Sequence, residues 1–230
     1  GGVGGGAGGT GGDAGNITIT GTGSSSGASN SAGLFYGQVN GSISSTDGDM
    51  TFILTAGTGG KGLEHFLGDI GSASTAGTIT FRTDDEINVD SPARIRGSGA
   101  LVFEPMTVSA DIGVGTGSTG DLFLHGNTLD RITNGFSSIT IGLATGTGAV
   151  DVEAAAFTDP VIIQSWGSGG TIDVDGALST NGSNNLTLRA GQQVLISEGS
   201  VAIVDGDLEI RGNADGAGDA ITSGVDIRGG

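Results

Sequence analysis

The sequence predicts an all-β chain wound as a parallel β-helix, or β-solenoid, with about 22 residues per coil. Three observations predict it. Short segments alternate apolar and polar residues, these segments recur at one shared spacing, and the fill between them is glycine-rich with little aromatic bulk. Glycine supplies 49 of 230 residues, and aromatic residues only 4%. A globular sandwich of this length would carry more aromatic volume, whereas a narrow stack of Ile, Val and Leu turned by glycine corners does not need it.

The alternating segments run the length of the chain. They are NITIT (16–20), MTFIL (50–54), TITF (78–81), EINV (86–89), DLFL (121–124), SITI (138–141), VDV (150–152), VII (161–163), TIDV (171–174), NLTL (185–188), DLEI (207–210) and VDI (225–227). Apolar residues at i and i+2 with Thr, Asp or Asn between them are half-buried strands, and Gly, Asn, Asp and Ser fill the turns. Val150, Ile172 and Val194 follow one another at steps of 22; Ile139, Val161, Leu186 and Leu208 follow at 22, 25 and 22. Ile79 leads to Leu101 and Leu122 at 22 and 21, and Ile203 to Val225 at 22. Interleaved series with one period describe a chain returning to the same place, and the unit is too short for a propeller blade. About ten such coils, spaced about 4.8 Å apart, would form a rod on the order of 50 Å long.

Two stretches depart from this pattern. In residues 60–71 Leu63, Phe66, Leu67 and Ile70 have the i, i+3, i+4, i+7 spacing of a short amphipathic helix. In residues 127–135 Leu129 and Ile132 lie three apart before Asn134-Gly135, a left-handed stop. Both are read as helical excursions packed on a coil's flank. Residues 1–15 are read as a glycine-rich coil start or a linker to a preceding repeat, and 16–230 as a single solenoid. Both ends break off within the pattern, so the chain reads as a piece of a longer one.

Charge excludes several partners. There are 25 acidic and 8 basic residues, a formal net charge of −17. A nucleic-acid partner needs a clustered basic face, and an anionic membrane surface needs the same. No apolar run approaches the ~20 residues of a transmembrane helix. With no cysteine, disulfides, thiol catalysis and thiolate metal sites are excluded.

Motifs for chemistry are sparse. G-x-G-x-x-G occurs at Gly57, Gly59 and Gly62 and at Gly115, Gly117 and Gly120, but one residue in five is glycine and neither match opens a βαβ unit. The only candidate bases, His65 and His125, are read as surface or turn residues, and there is no G-x-S-x-G. Paired carboxylates are the one enzymatic signal: Asp84, Asp85 and Glu86 beside Arg82, and Asp173 with Asp175. Two outward residues two apart on a strand lie roughly 6.5–7 Å from each other, within the separation used by some glycosidases. Solubilising the strand's outer face is the preferred reading. No catalytic, cofactor or metal residue is assigned. The acidic turns at Asp47 and Asp49, Asp205 and Asp207, and Asp215 and Asp219 are where calcium would find oxygen ligands, although none has an EF-hand pattern. GGTGGD at 8–13 opens like a calcium repeat but has Gly15 where an aliphatic belongs, and it occurs once.

GNITITGTGSSSG, TITFRTDDEINV, LDRITNGFSSITIG, GTIDVDGALSTNGSNNLTLRAG and ITSGVDIRGG resemble the repeat regions of large bacterial surface proteins of the filamentous-haemagglutinin type. The resemblance covers nearly the whole chain, with LDRITNGFSSITIG its most distinctive phrase. It implies a secreted, right-handed β-helical stalk serving adhesion, biofilm formation or contact with other cells. The expected function is therefore a non-catalytic structural or adhesive segment at the bacterial cell surface. Its partners would be neighbouring repeats or other copies end to end, surface glycans or other cells. The alternative is a β-helical polysaccharide lyase or hydrolase.

Overall fold

The computed structural model describes residues 15–24, 32–36, 42–197, 200–203, 205–212 and 224–227. Among them, an eight-stranded sheet runs in the order β1 (Ile17–Thr22), β3 (Met50–Thr55), β6 (Ile79–Arg82), β9 (Ala100–Glu104), β12 (Ser138–Leu143), β15 (Val161–Ser165), β18 (Leu186–Ala190) and β21 (Leu208–Arg211). A nine-stranded sheet runs β2 (Leu34–Tyr36), β4 (Leu63–His65), β7 (Glu86–Val89), β11 (Leu122–Leu124), β10 (Ile112–Val114), β13 (Ala149–Val152), β16 (Thr171–Val174), β19 (Gln193–Ile196) and β22 (Gly224–Ile227). Two smaller sheets pair β5 (Asp69–Gly71) with β8 (Arg94–Arg96), and β14 (Ala155–Phe157) with β17 (Ala177–Thr180) and β20 (Ser200–Ile203). The strand ladders are parallel, and one four-residue helix, α1 (Gly126–Leu129), interrupts them.

The predicted spacings are the registers of these sheets. Ile139 faces Val161, which faces Leu186, which faces Leu208. Val150, Ile172 and Val194 face one another in the same way, as do Ile79 and Leu101. Two predicted steps fail. Leu101 faces Ile139 rather than Leu122, and Val225 faces Val194 rather than Ile203, which pairs with Thr180 in the three-stranded sheet. Alternation puts Met50, Phe52 and Leu54, or Val150 and Val152, on inner faces that share one core. Each such side chain contributes about 1.5–3 kcal/mol by leaving water.

Residues 60–71 are not helical. Leu63 and His65, two apart, turn inward on β4, with Leu63 between Leu34 and Ile87. Gly68 and Gly71 then take φ of 82° and 81°, which bends the chain into and out of β5. The helical spacing of Leu63, Phe66, Leu67 and Ile70 is that of two short strands separated by a bend. Residues 127–135 hold a helix only at their start, since Asp130 already ends α1. Beyond it Ile95 exchanges bonds with the backbone at 131 and 133. Gly135 has the expected positive φ, 133°, but in a link rather than a helix stop.

One reversal sets this region apart. In the nine-stranded sheet β11 lies before β10, so the chain steps backward between them. Residues 115–121 cross the outer face of β10, where a Cβ on Gly113 would press on Thr119 and Ser118.

Candidate functional site

The outward carboxylates are the candidates that the sequence offers, and the structure distributes them according to what their oxygens meet. Several stand immediately before a strand and accept a backbone N–H from the next strand of the sheet. Asn16 Oδ1 accepts from Asp49 at 3.0 Å, and Asp49 Oδ1 from Thr78 at 2.8 Å. Asn185 Oδ1 accepts from Asp207 at 2.8 Å. In the other long sheet Asp121 accepts from Asp111 at 3.1 Å, and Asp111 from Ala149 at 2.8 Å. The direction follows order in space, even where the chain runs backward. Short Asx side chains suit this because they reach an amide at the strand entry without lengthening the turn.

Asp84 and Asp85 also accept backbone N–H groups, but from residues that follow strands rather than enter them. Asp84 Oδ1 accepts from the Met106 and Thr107 amides at 2.7 and 3.0 Å, and Asp85 Oδ2 from the Ala56 amide at 2.7 Å. Neighbours in sequence, they reach in opposite directions along the stack. Arg82 pairs with Glu104 at 2.7 Å on the facing strand, and Glu86 with Lys61 at 2.9 Å. The four residues are thus divided among separate ties, and the structure does not bring them together as one site.

Asp173 and Asp175 do converge. Both accept from the Ser197 hydroxyl, at 3.2 Å for Asp173. Asp151 faces Asp173 on the adjoining strand, and oxygens of Asp151, Glu153 and Asp175 lie within 4.8 Å of one another. Partial burial pushes the Asp173 carboxyl up, and the Asp175 and Asp151 charges add to this against the Ser197 hydrogen bond. Such oxygens could hold a hard cation or share a proton. Asp151 and Glu153 are not among the residues singled out from the sequence. Aligning VDVE at 150–153 with IDVD at 172–175 by the 22-residue step is the signal that finds them.

The calcium candidates among the described residues do not form such a group. Asp49 accepts the Thr78 amide and Asp207 donates its own amide to Asn185, Asp47 and Asp205 stand exposed in bends, and Asp215 and Asp219 lie outside the described residues. The GGTGGD segment and residues 1–14 also lie outside them. Among the described residues, Asp151, Glu153 and Asp175 are the one cluster with metal-ligand spacing.

The two histidines differ. His65 departs from the expected surface position: it is fully buried, its Nε2 3.2 Å from the Gly68 carbonyl, because its inward position on β4 leaves no path to water. His125 is a turn residue, as expected; its Nδ1 accepts from the Asn127 amide at 3.2 Å and caps α1.

Two further polar residues carry structural duty. Thr128 is fully buried and its hydroxyl donates to the Ile87 carbonyl at 2.7 Å while accepting from the Val89 amide at 3.1 Å. It does for β7 what a neighbouring strand does elsewhere. Asp159, 3% exposed, accepts from the Gly135 amide at 2.8 Å; burial pushes its carboxyl up despite the Gly135 and Phe136 amides.

Comparison with family models, with curated proteins and with solved structures found no match.

Proposed function

We propose that the parallel sheets close into a single β-solenoid, with about 22 residues per coil and the right-handed connection general to parallel strands. On this reading the chain is a non-catalytic length-building and adhesive segment of an extracellular bacterial fibre, stalk or surface adhesin. The observation that carries it is the stacking of equivalent strands into ladders of eight and nine, tied by Asx side chains at strand entries. A ladder of this kind can be extended without changing its cross-section. Its end strands would join neighbouring repeats or other copies, and the acidic flanks would discourage lateral association. Surface glycans or other cells are the proposed contacts.

The test is incubation of the chain with neutral and acidic polysaccharides, following both retention on the polymer and release of shorter products. Retention without products supports an adhesive surface, and neither supports a spacer. Released products would overturn the non-catalytic reading in favour of a polysaccharide-cleaving enzyme, with Asp151, Glu153, Asp173 and Asp175 the carboxylates to replace.

A further inference from the structure

The third side of the molecule carries a ladder that breaks off and resumes. It runs from Ile43 to Ile70 on β5, to Ile95 on β8 and to Ile132, and starts again at β14, β17 and β20. At the break the nine-stranded sheet gains β10, while the third side gains no strand to match it. The result is a groove between α1 and β14. It comprises two adjoining hollows of about 370 and 240 Å³ that share Leu129, Asp130 and Ala156.

One bank of this groove is the edge of β14, and the other is α1 with the bridge residue Ile132 beyond it. Phe157 takes the Asn181 amide on its carbonyl, so its backbone is directed toward β17. Bonding direction alternates along a parallel strand, and the N–H and C=O of Ala156 therefore point away from β17, into the groove. Opposite, Ile95 bonds to 131 and 133, which turns the Ile132 carbonyl toward the groove as well. No backbone donor among the described residues reaches that carbonyl. The floor is apolar at Leu129, Ile139 and Phe157, while Ala154, Ala156 and Ala177 leave the upper part open. The exposed Asp130 lies on the rim, and no Lys or Arg lines either hollow.

We propose that this groove receives an extended strand from a partner polypeptide, one that alternates aliphatic residues with Lys or Arg. Its backbone takes the vacant place in the ladder, bonding to Ala156 on one side and to Ile132 on the other. Aliphatic side chains enter above Leu129 and Phe157. The basic ones face outward, where Asp130 and the strongly acidic chain attract them. This surface is independent of whether the molecule adheres through its flanks or only spaces other parts outward.

The full chain is titrated into a fluorescently labelled, capped nonapeptide alternating lysine and valine, and anisotropy is read. Saturable binding is expected, falling at least tenfold with Asp130→Lys and with Ala156→Pro. Proline there removes an N–H that serves no internal ladder and follows a residue already extended. A peptide N-methylated at alternate residues is expected not to bind, because one of its edges is blocked. Three results would overturn the proposal: no saturation at about 1 mM peptide, a weak limit near −4 kcal/mol; equal affinity for the N-methylated peptide; or equal affinity of both variants with circular dichroism unchanged. Should Ala156→Pro fail to fold, Asp130→Lys and the N-methylated peptide still decide it. Concentration-dependent self-association that Ala156→Pro abolishes would assign the edge to a second copy and overturn the partner strand.

Discussion

The early and late parts of the eight-stranded sheet solve the same packing problem with different side chains. In β3, β6 and β9 the central inward position holds Phe52, Phe81 and Phe103, stacked at centroid distances of 4.9 and 5.3 Å with planes 14° and 11° apart. From β12 onward the same register position holds Ile141, Ile163, Leu188 and Ile210. The early part has irregular steps and a two-stranded third sheet; the late part repeats β12–β13–β14, β15–β16–β17 and β18–β19–β20 almost without variation. Wide flat rings fill a cross-section whose outline changes between layers. Branched aliphatics suffice where each layer copies the last. Regularity of the backbone thus lowers the demand for large side chains.

The comparison can be broken by substitution. Phe81→Ala, in the middle of the ring stack, should cost about 3–5 kcal/mol, and Ile163→Val in the regular part about 0.5–1.5 kcal/mol, measured by denaturant unfolding. Equal costs per carbon removed would mean that the two parts are packed alike. Next in size is Thr128→Val, which leaves a buried amide and a buried carbonyl on β7 without their partner; about 2 kcal/mol is expected, with Thr128→Ser recovering most of it. Asp84→Ala removes the acceptor of two amides and should cost about 1 kcal/mol, with faster hydrogen exchange at Met106 and Thr107 than at Ile163.

The smallest effect concerns pH. The Asp173 carboxyl is pushed up from its ordinary 3.8, so the folded state holds this proton more tightly than the unfolded chain. Its contribution to stability therefore falls as pH rises from the unfolded value through the folded one, and the penalty is complete at neutral pH. Asp173→Asn should raise Tm by about 1–2 °C near pH 7 and leave it unchanged near pH 3, because the variant removes only the charged form. Asp159 acts in the same direction through burial.

Much of the parallel architecture is legible in the sequence, because strand spacing is a direct imprint of register. Val150, Ile172 and Val194 align by spacing alone, since each must fill the same inward position in successive layers. The reversal of β10 and β11 is hidden, because a backward step leaves the local pattern of IGV and LFL untouched. The false helix at 60–71 arises because apolar spacing does not distinguish one turn of helix from two strands with a bend. Asp84 and Asp85 are recognisable as a pair, but only the stacked fold shows that their oxygens are taken by amides from opposite sides. Thr128 carries no signal at all, since a threonine in a polar turn looks ordinary until its partners on β7 are known.

The extra strand has a consequence for the line the molecule follows. One long sheet contains β10 and its companion has no counterpart, so one side is longer by a single strand spacing, about 4.8 Å across sheets about 10 Å apart. That mismatch is a wedge of roughly 25°. Left uncompensated, it would tilt the strands after β12 toward the shorter side. An insertion of ten residues, from Ile112 to Leu122 in register, would thereby act as an elbow, and a long chain with such elbows at intervals would curve along a course set by where its insertions fall.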